Sequence, residues 1–259
     1  MRSWLSSAVL AMAVTGMASA QEMHIAPFAE LHASAMAAYE AAAADPNTWS
    51  HDLAARLLNH AIGVQEVSGH AAALPLLEAH YAILRRIDGE AGLETAAASE
   101  RVWRALFALG RFAEAEANAR ERYDALAARA DFPRAQIARA LKHLALSVHI
   151  QNRPDDAAPA FAHALRVLGD HRYAGDRLDA HASILDAYAL HLAVHGSPEE
   201  ALDIAMQNLE VRARLGSEDS PVYARGLHTL AAVQHRLGMI DAALASLEAA
   251  QAIYLSADR

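Results

Sequence analysis

A motif recurs five times along this chain at a nearly fixed interval, and that recurrence limits the folds open to it. The segments are GHAAALPLLEAH around Ala73, GRFAEAEANARERY around Ala115, NRPDDAAPAFAHAL around Ala157, GSPEEALDIAMQNL around Ala201 and LGMIDAALASLEAA around Ala243. Successive alanines lie 42, 42, 44 and 42 residues apart. Each follows a turn signal and opens an amphipathic run, and another helical run ends just before that turn. The unit is therefore helix-turn-helix, and an array of such units is expected to be all-α. Composition agrees: the chain is 54% hydrophobic and 20% charged, with 12 glycines and 8 prolines. Its abundant alanine loses no side-chain entropy in a helix.

The turns carry mechanisms of their own. Ser197, Pro198 and Glu200 have the spacing of a helix N-cap, a first-position proline and a capping box. Ser220 before Pro221 and Asp131 before Pro133 are expected to start helices in the same way. Gly110 and Gly238 follow helix ends.

At these positions the sequence resembles the tetratricopeptide repeat family. In that family the first helix carries a large apolar residue, then Leu and a small residue three and four positions on. The second helix carries Ala, an aromatic or Leu, then Ala. The third repeat matches with Leu141, Leu144, Ala145, Ala157, Phe161 and Ala164, and the fifth with Leu227, Leu230, Ala231, Ala243, Leu247 and Ala250. The fourth gives Leu185, Tyr188, Ala189, Ala201 and Ala205 but has Asn208 at the last small position. The first two are weaker, with Trp103 at a small first-helix position and Arg122 at the second repeat's last small position. The 42-residue period is similar to the longer-helix variety found in kinesin light chains.

The resemblance implies a right-handed α-solenoid with repeats at about 51–88, 93–130, 133–169, 176–216 and 221–256. Residues 21–50 precede them, where Phe28 to Ala44 is expected to form a capping helix. The last run, Ile240 to Ser256, is apolar around most of its circumference, a pattern that normally marks a buried helix. A homodimer or partner contact there is an expectation.

The first twenty residues read as a cleavable export signal: Arg2, then the apolar stretch Leu5 to Met17, then Ala18-Ser19-Ala20 before Gln21. A periplasmic or secreted protein is expected, with no membrane insertion after signal removal. The chain has no cysteine, which excludes disulfides, thiolate chemistry and a lipidated N-terminal cysteine. Loss of residues 1–20 leaves 21 basic residues against 31 acidic, a net charge of −10 with histidine neutral. That balance argues against nucleic acid as a partner.

No catalytic signature is present: the sequence has no G-x-S-x-G, H-E-x-x-H or G-x-x-x-x-G-K. A non-enzymatic protein-protein interaction module is expected, without a cofactor. Among 15 histidines, His191 and His195 have the i, i+4 spacing that puts two imidazoles on one helix face. No third ligand is indicated by position, so no metal site is assigned.

In the family, first helices line a concave groove, with ligand-facing residues spaced i, i+3, i+7, i+10. The second repeat then offers Glu100, Arg104 and Phe107, and the third Arg139, Lys142, Leu146 and His149. The fourth offers Ser183, Asp186, Leu190 and Ala193, and the fifth Arg225, His228, Ala232 and His235. Arg104, Arg139, Lys142 and Arg225 oppose Glu100 and Asp186, a surplus of +2 on an acidic protein. Lys142 is the chain's only lysine. The expected ligand is a peptide or protein with acidic groups, gripped by arginine forks, with Phe107, Leu146 and Leu190 giving apolar contact. Two other uses are compatible with the same residues: a small-ligand or metal sensor using the groove histidines, or a structural subunit assembling through the last helix.

Overall fold

The computed structural model describes residues 46–169 and 175–257, with the isolated positions 33, 37 and 40. The expected export signal lies outside the described residues, as does the expected capping helix apart from those three helical positions. The described residues are helical throughout their regular structure, without a strand. No described helix is long and apolar enough to cross a membrane. Two units divide at residues 109 and 110.

The first unit contains α1 (His51–Asp88) and α2 (Leu93–Ala108), which pack on each other. Ser50 caps α1, its Oγ accepting from the Leu53 amide at 3.2 Å. Although α1 spans 38 residues, it is two helices joined at Gly69, whose φ of 80° breaks the helical run. That conformation suits glycine alone without strain, so the first repeat turns on one residue. Leu57, Ala61, Leu76 and Ile83 are fully buried around this turn. Buried His80 joins the two halves, donating from Nδ1 to the Ala54 carbonyl at 2.9 Å.

The second unit holds α3 (Phe112–Ala127), α4 (Arg134–Ile150), α5 (Pro154–Leu168), α6 (Asp176–His195), α7 (Pro198–Leu215), α8 (Pro221–Arg236) and α9 (Ile240–Ala257). Pairs α4/α5, α6/α7 and α8/α9 pack within repeats. The first helices α4, α6 and α8 also lie side by side, α4 on α6 and α6 on α8. They form one layer, and it is this layer that positions the candidate site.

The recurring small residues are where helices approach. Ala115, Ala157 and Ala201 are each 0% exposed, and Ala243 is 5% exposed. In the third repeat Leu141, Leu144, Ala145, Phe161 and Ala164 are all buried. In the fifth, Leu247 occupies the position of Phe161 yet is 41% exposed, and Ile240, Leu244 and Leu255 are exposed with it. Only Ala243, Ser246 and Ala250 of α9 are buried, so most of its apolar surface faces outward.

Departures from the small-residue pattern have local partners. Arg122, buried on α3, donates to His143 Nδ1 of α4 at 2.5 Å. Asn208, fully buried on α7, accepts from Arg212 Nε at 3.1 Å and donates to Asp186.

Caps follow two of the three expected starts. Ser197 Oγ accepts from the Glu200 amide at 3.0 Å, and Ser220 Oγ from the Tyr223 amide at 3.3 Å, each with proline next. The Glu200 carboxylate turns instead toward the Tyr188 hydroxyl at 3.5 Å. Asp131 does not cap α4. It pairs with Arg129 at 2.8 Å, while Pro133 sits at the helix boundary without a side-chain cap. Competition from an adjacent guanidinium explains the difference, because an ion pair within two residues needs no reach across the turn.

Candidate functional site

The layer of first helices carries the residues that the spacing placed on one stripe. Arg139 on α4 reaches α6, where it pairs with Asp176 at 2.5 Å and Asp179 at 3.1 Å. Burial works against its charge, but hydrogen bonds and charges from Asp176 and Asp179 outweigh that and raise its pKa. Lys142 Nζ donates to Ser183 Oγ at 2.7 Å, again from α4 to α6.

One step further, Asp186 on α6 is the hub of a polar knot. It accepts hydrogen bonds from Arg212 and Asn208 of α7 and from Thr229 Oγ1 of α8, the last at 2.7 Å. Arg212 has room there because Gly226 on α8 has no side chain: a Cβ at that position would lie 2.7 Å from Arg212 Cδ.

Beside the knot is a polar cleft of about 460 Å³ lined by Asp179, Ser183, Asp186, Arg212, Arg225 and Thr229. Its cations differ in freedom. Arg212 is buried and ion-paired with Asp186, whereas Arg225 is exposed and makes no ion pair among the described residues. The available cation at this cleft is therefore Arg225.

A second cleft, of about 390 Å³, is nearly all apolar. His228, His235 and Arg236 of α8 line it with Ile240, Leu244 and Leu247 of α9. His228 also packs against Tyr254, with ring centroids 5.9 Å apart.

Between α4 and α6 three imidazoles meet. His149 and His191 bring their Nδ1 atoms within 3.0 Å, and His195 is 5.4 Å from His149 and 5.3 Å from His191 between ring centroids. Burial, followed by the charges of His149 and His195, lowers the His191 pKa to about 4. The His149 pKa is lowered first by burial, then by His195 and Arg236. Both shifts favour the neutral imidazole, the form that carries a nitrogen lone pair.

The stripe residues are distributed as follows. Arg139, Lys142, Asp186 and Arg225 gather at the polar end, His228 and His235 at the apolar cleft, and His149 in the imidazole cluster. Leu146 is half-buried and Leu190 exposed on the same helices. Arg104 and Phe107 belong to the first unit: exposed Arg104 pairs with Glu100 at 2.5 Å, and half-buried Phe107 packs on Trp103, centroids 4.9 Å apart.

Spacing alone overlooked Asp176, Asp179, Arg212 and Thr229. Asp179 was within reach, since it continues the α6 stripe one turn back from Ser183 and Asp186. Arg212 lies one turn beyond Asn208, the residue that broke the small-residue pattern. With these counted, the charge surplus drops. Arg139, Lys142, Arg212 and Arg225 face Asp176, Asp179 and Asp186, a net of +1 in the second unit.

The tetratricopeptide repeat family profile matches residues 180–256, which hold α7, α8, most of α6 and all but the last residue of α9. These are tetratricopeptide repeats. Solved structures of the same fold extend the likeness over more of the chain. BtubC (BKLC) from P. vanneervenii aligns with a TM-score of 0.63 at 18% identity, over 92% of this chain and 92% of that one. A Podosopora anserina protein described as a kinesin light chain, with nearly identical TPR-like repeats, gives 0.58 at 19% identity, over 78% of this chain and 95% of that one. The Rap conjugation gene regulator of plasmid pLS20, in complex with the Phr* peptide, gives 0.59 at 17% identity, over 76% of this chain and 52% of that one. No curated protein sequence matches the chain. The fold class is thus the expected all-α one, built of helix pairs that match the tetratricopeptide profile over residues 180–256 and share the fold of these solved repeat structures.

Proposed function

We propose that this protein is an exported, non-enzymatic adaptor whose tetratricopeptide repeats bind an extended peptide or a protein segment carrying acidic groups. The observation that carries the reading is the polar cleft in the first-helix layer, where exposed Arg225 stands beside a fixed polar floor of Ser183, Asp186 and Thr229. A preorganised floor with one uncommitted guanidinium suits a carboxylate, which accepts a bidentate fork. Further along α8, the apolar cleft with Ile240, Leu244 and Leu247 offers a place for a hydrophobic side chain. The Rap regulator, of similar fold, is a peptide complex, which supports a peptide as the ligand class. The surplus of positive charge is small, so acidic groups set position at Arg225, and apolar contact supplies much of the affinity.

Capture from the native envelope with the purified protein, followed by mass spectrometry, tests this reading. Arg225→Glu should lose the captured partner with an unchanged melting temperature. Retention of the same partner by that variant would move binding to another surface. Arg139 is a poor choice for the same test, because its reversal would face Asp176 and Asp179 with a third carboxylate. Export is tested by N-terminal sequencing of the mature protein, which should begin at Gln21.

A second reading is favoured by α9. Its exposed Ile240, Leu244, Leu247 and Leu255 form a face that a second copy would bury, making the protein a self-assembling subunit. Light scattering should then give twice the monomer mass, and Leu247→Glu should halve it.

A further inference from the structure

We propose that His149, His191 and His195 form a transition-metal site, with Zn²⁺ the fitting ion. One ligand atom from each ring lies within 4.8 Å of the other two, and the Nδ1 atoms of His149 and His191 are 3.0 Å apart. Two nitrogens bound to one tetrahedral zinc, each at roughly 2.0–2.1 Å, stand about 3.4 Å apart. The observed pair needs to open by a few tenths of an ångström. His195 swings inward by rotating a ring that is exposed and therefore free to move.

The scaffold around these rings favours a fixed site over a chance cluster. His191 and His195 are one turn apart on α6, and His149 comes from the neighbouring helix α4, so two packed helices set the spacing. His191 is only 1% exposed, and its ring is walled by Phe161 at 5.5 Å and Tyr188 at 6.4 Å between centroids. The three ligands thus grade from buried His191 through half-buried His149 to exposed His195. That arrangement admits an ion from solvent and leaves a fourth position for water or an incoming group. Three imidazole ligands select borderline ions such as Zn²⁺ and Cu²⁺ over Mg²⁺ or Ca²⁺, which require oxygen ligands. One group opposes the site: the Arg236 guanidinium of α8 faces His149 and repels a bound cation.

This inference is independent of peptide binding, since no ligand of the site lines the polar or the apolar cleft. The test uses the full untagged chain stripped with EDTA and titrated with ZnCl₂ in a calorimeter, and with Co²⁺ while the visible absorption of a tetrahedral complex is followed. One Zn²⁺ should bind per chain at this site, with a rise in melting temperature that grows with zinc concentration. His149→Gln and His195→Ala should each weaken binding by at least about tenfold, by analogy with the loss of groups that support a metal site. His235→Ala, on α8 in the apolar cleft, should bind as the parent does. Both variants leave buried His191 in place, so folding is checked directly by circular dichroism. Absence of stoichiometric zinc binding would overturn the assignment, as would binding that either His149→Gln or His195→Ala leaves unchanged.

Discussion

Arg212 on α7 is ion-paired with Asp186 on α6, and only 7% of the Arg212 side chain is exposed. The pair joins the two helices of one repeat. Through Thr229 it reaches the first helix of the next repeat as well. Removing either partner would leave a charge in poor contact with water. Asp186→Ala is therefore expected to cost about 2–4 kcal/mol in urea denaturation, as is Arg212→Ala. The double variant should lose clearly less than the sum of the two, because neither charge is then stranded.

Ala157 is 0% exposed where α5 meets its neighbours, so added side-chain volume has nowhere to go. Ala157→Leu should destabilise the protein by about 1–3 kcal/mol in chemical denaturation. Ala232, exposed on α8, provides the contrast: Ala232→Leu should leave the midpoint nearly unchanged.

Stability should decline as the solution is acidified, in part through His80. Burial lowers its pKa from the ordinary 6.5, outweighing the Ala54 hydrogen bond that favours the charged ring, and Arg101 lowers it further. Below pH 6.5 the unfolded chain takes up a proton that the folded chain still refuses, so folding is penalised as pH falls toward the lowered value. His80→Gln, which retains a donor for the Ala54 carbonyl, should flatten the dependence of melting temperature on pH between neutrality and mild acid.

Ser197 and Ser220 cap α7 and α8 through their hydroxyl oxygens. Replacing either by alanine should cost about 1 kcal/mol, the usual value of a lost N-cap. Asp131→Ala should cost less, since Asp131 pairs with Arg129 at an exposed site and caps nothing.

The repeat period was legible because it is written in side-chain volume. Ala157, Phe161 and Ala164 are small, large and small where one helix must fit another, and all three are fully buried. The same rule explains why Asn208 and Arg122 stood out as departures, although their hydrogen-bond partners could not be named from spacing. What was hidden at the site are contacts between elements. That Arg139 meets Asp179, or that His149 meets His191, depends on how far α6 is displaced along α4. The offset of one helix against another arises from packing, and a stripe drawn on each helix separately carries no information about it. Likewise the backbone of Gly69 alone breaks the long α1 at the turn of the first repeat, which the motif spacing did not single out.

The bonds between α4, α6 and α8 share a property with dynamic consequences. Arg139–Asp179, Lys142–Ser183 and Asp186–Thr229 connect residues 40, 41 and 43 apart, about one repeat length in each case. Among the described residues, the helix contacts link each repeat to its neighbours in sequence. Opening then spreads stepwise instead of all at once, and amide hydrogen exchange should record it as a gradient. Protection should be greatest around α6, which is held from both sides, and should decrease toward α9, where only three side chains are buried.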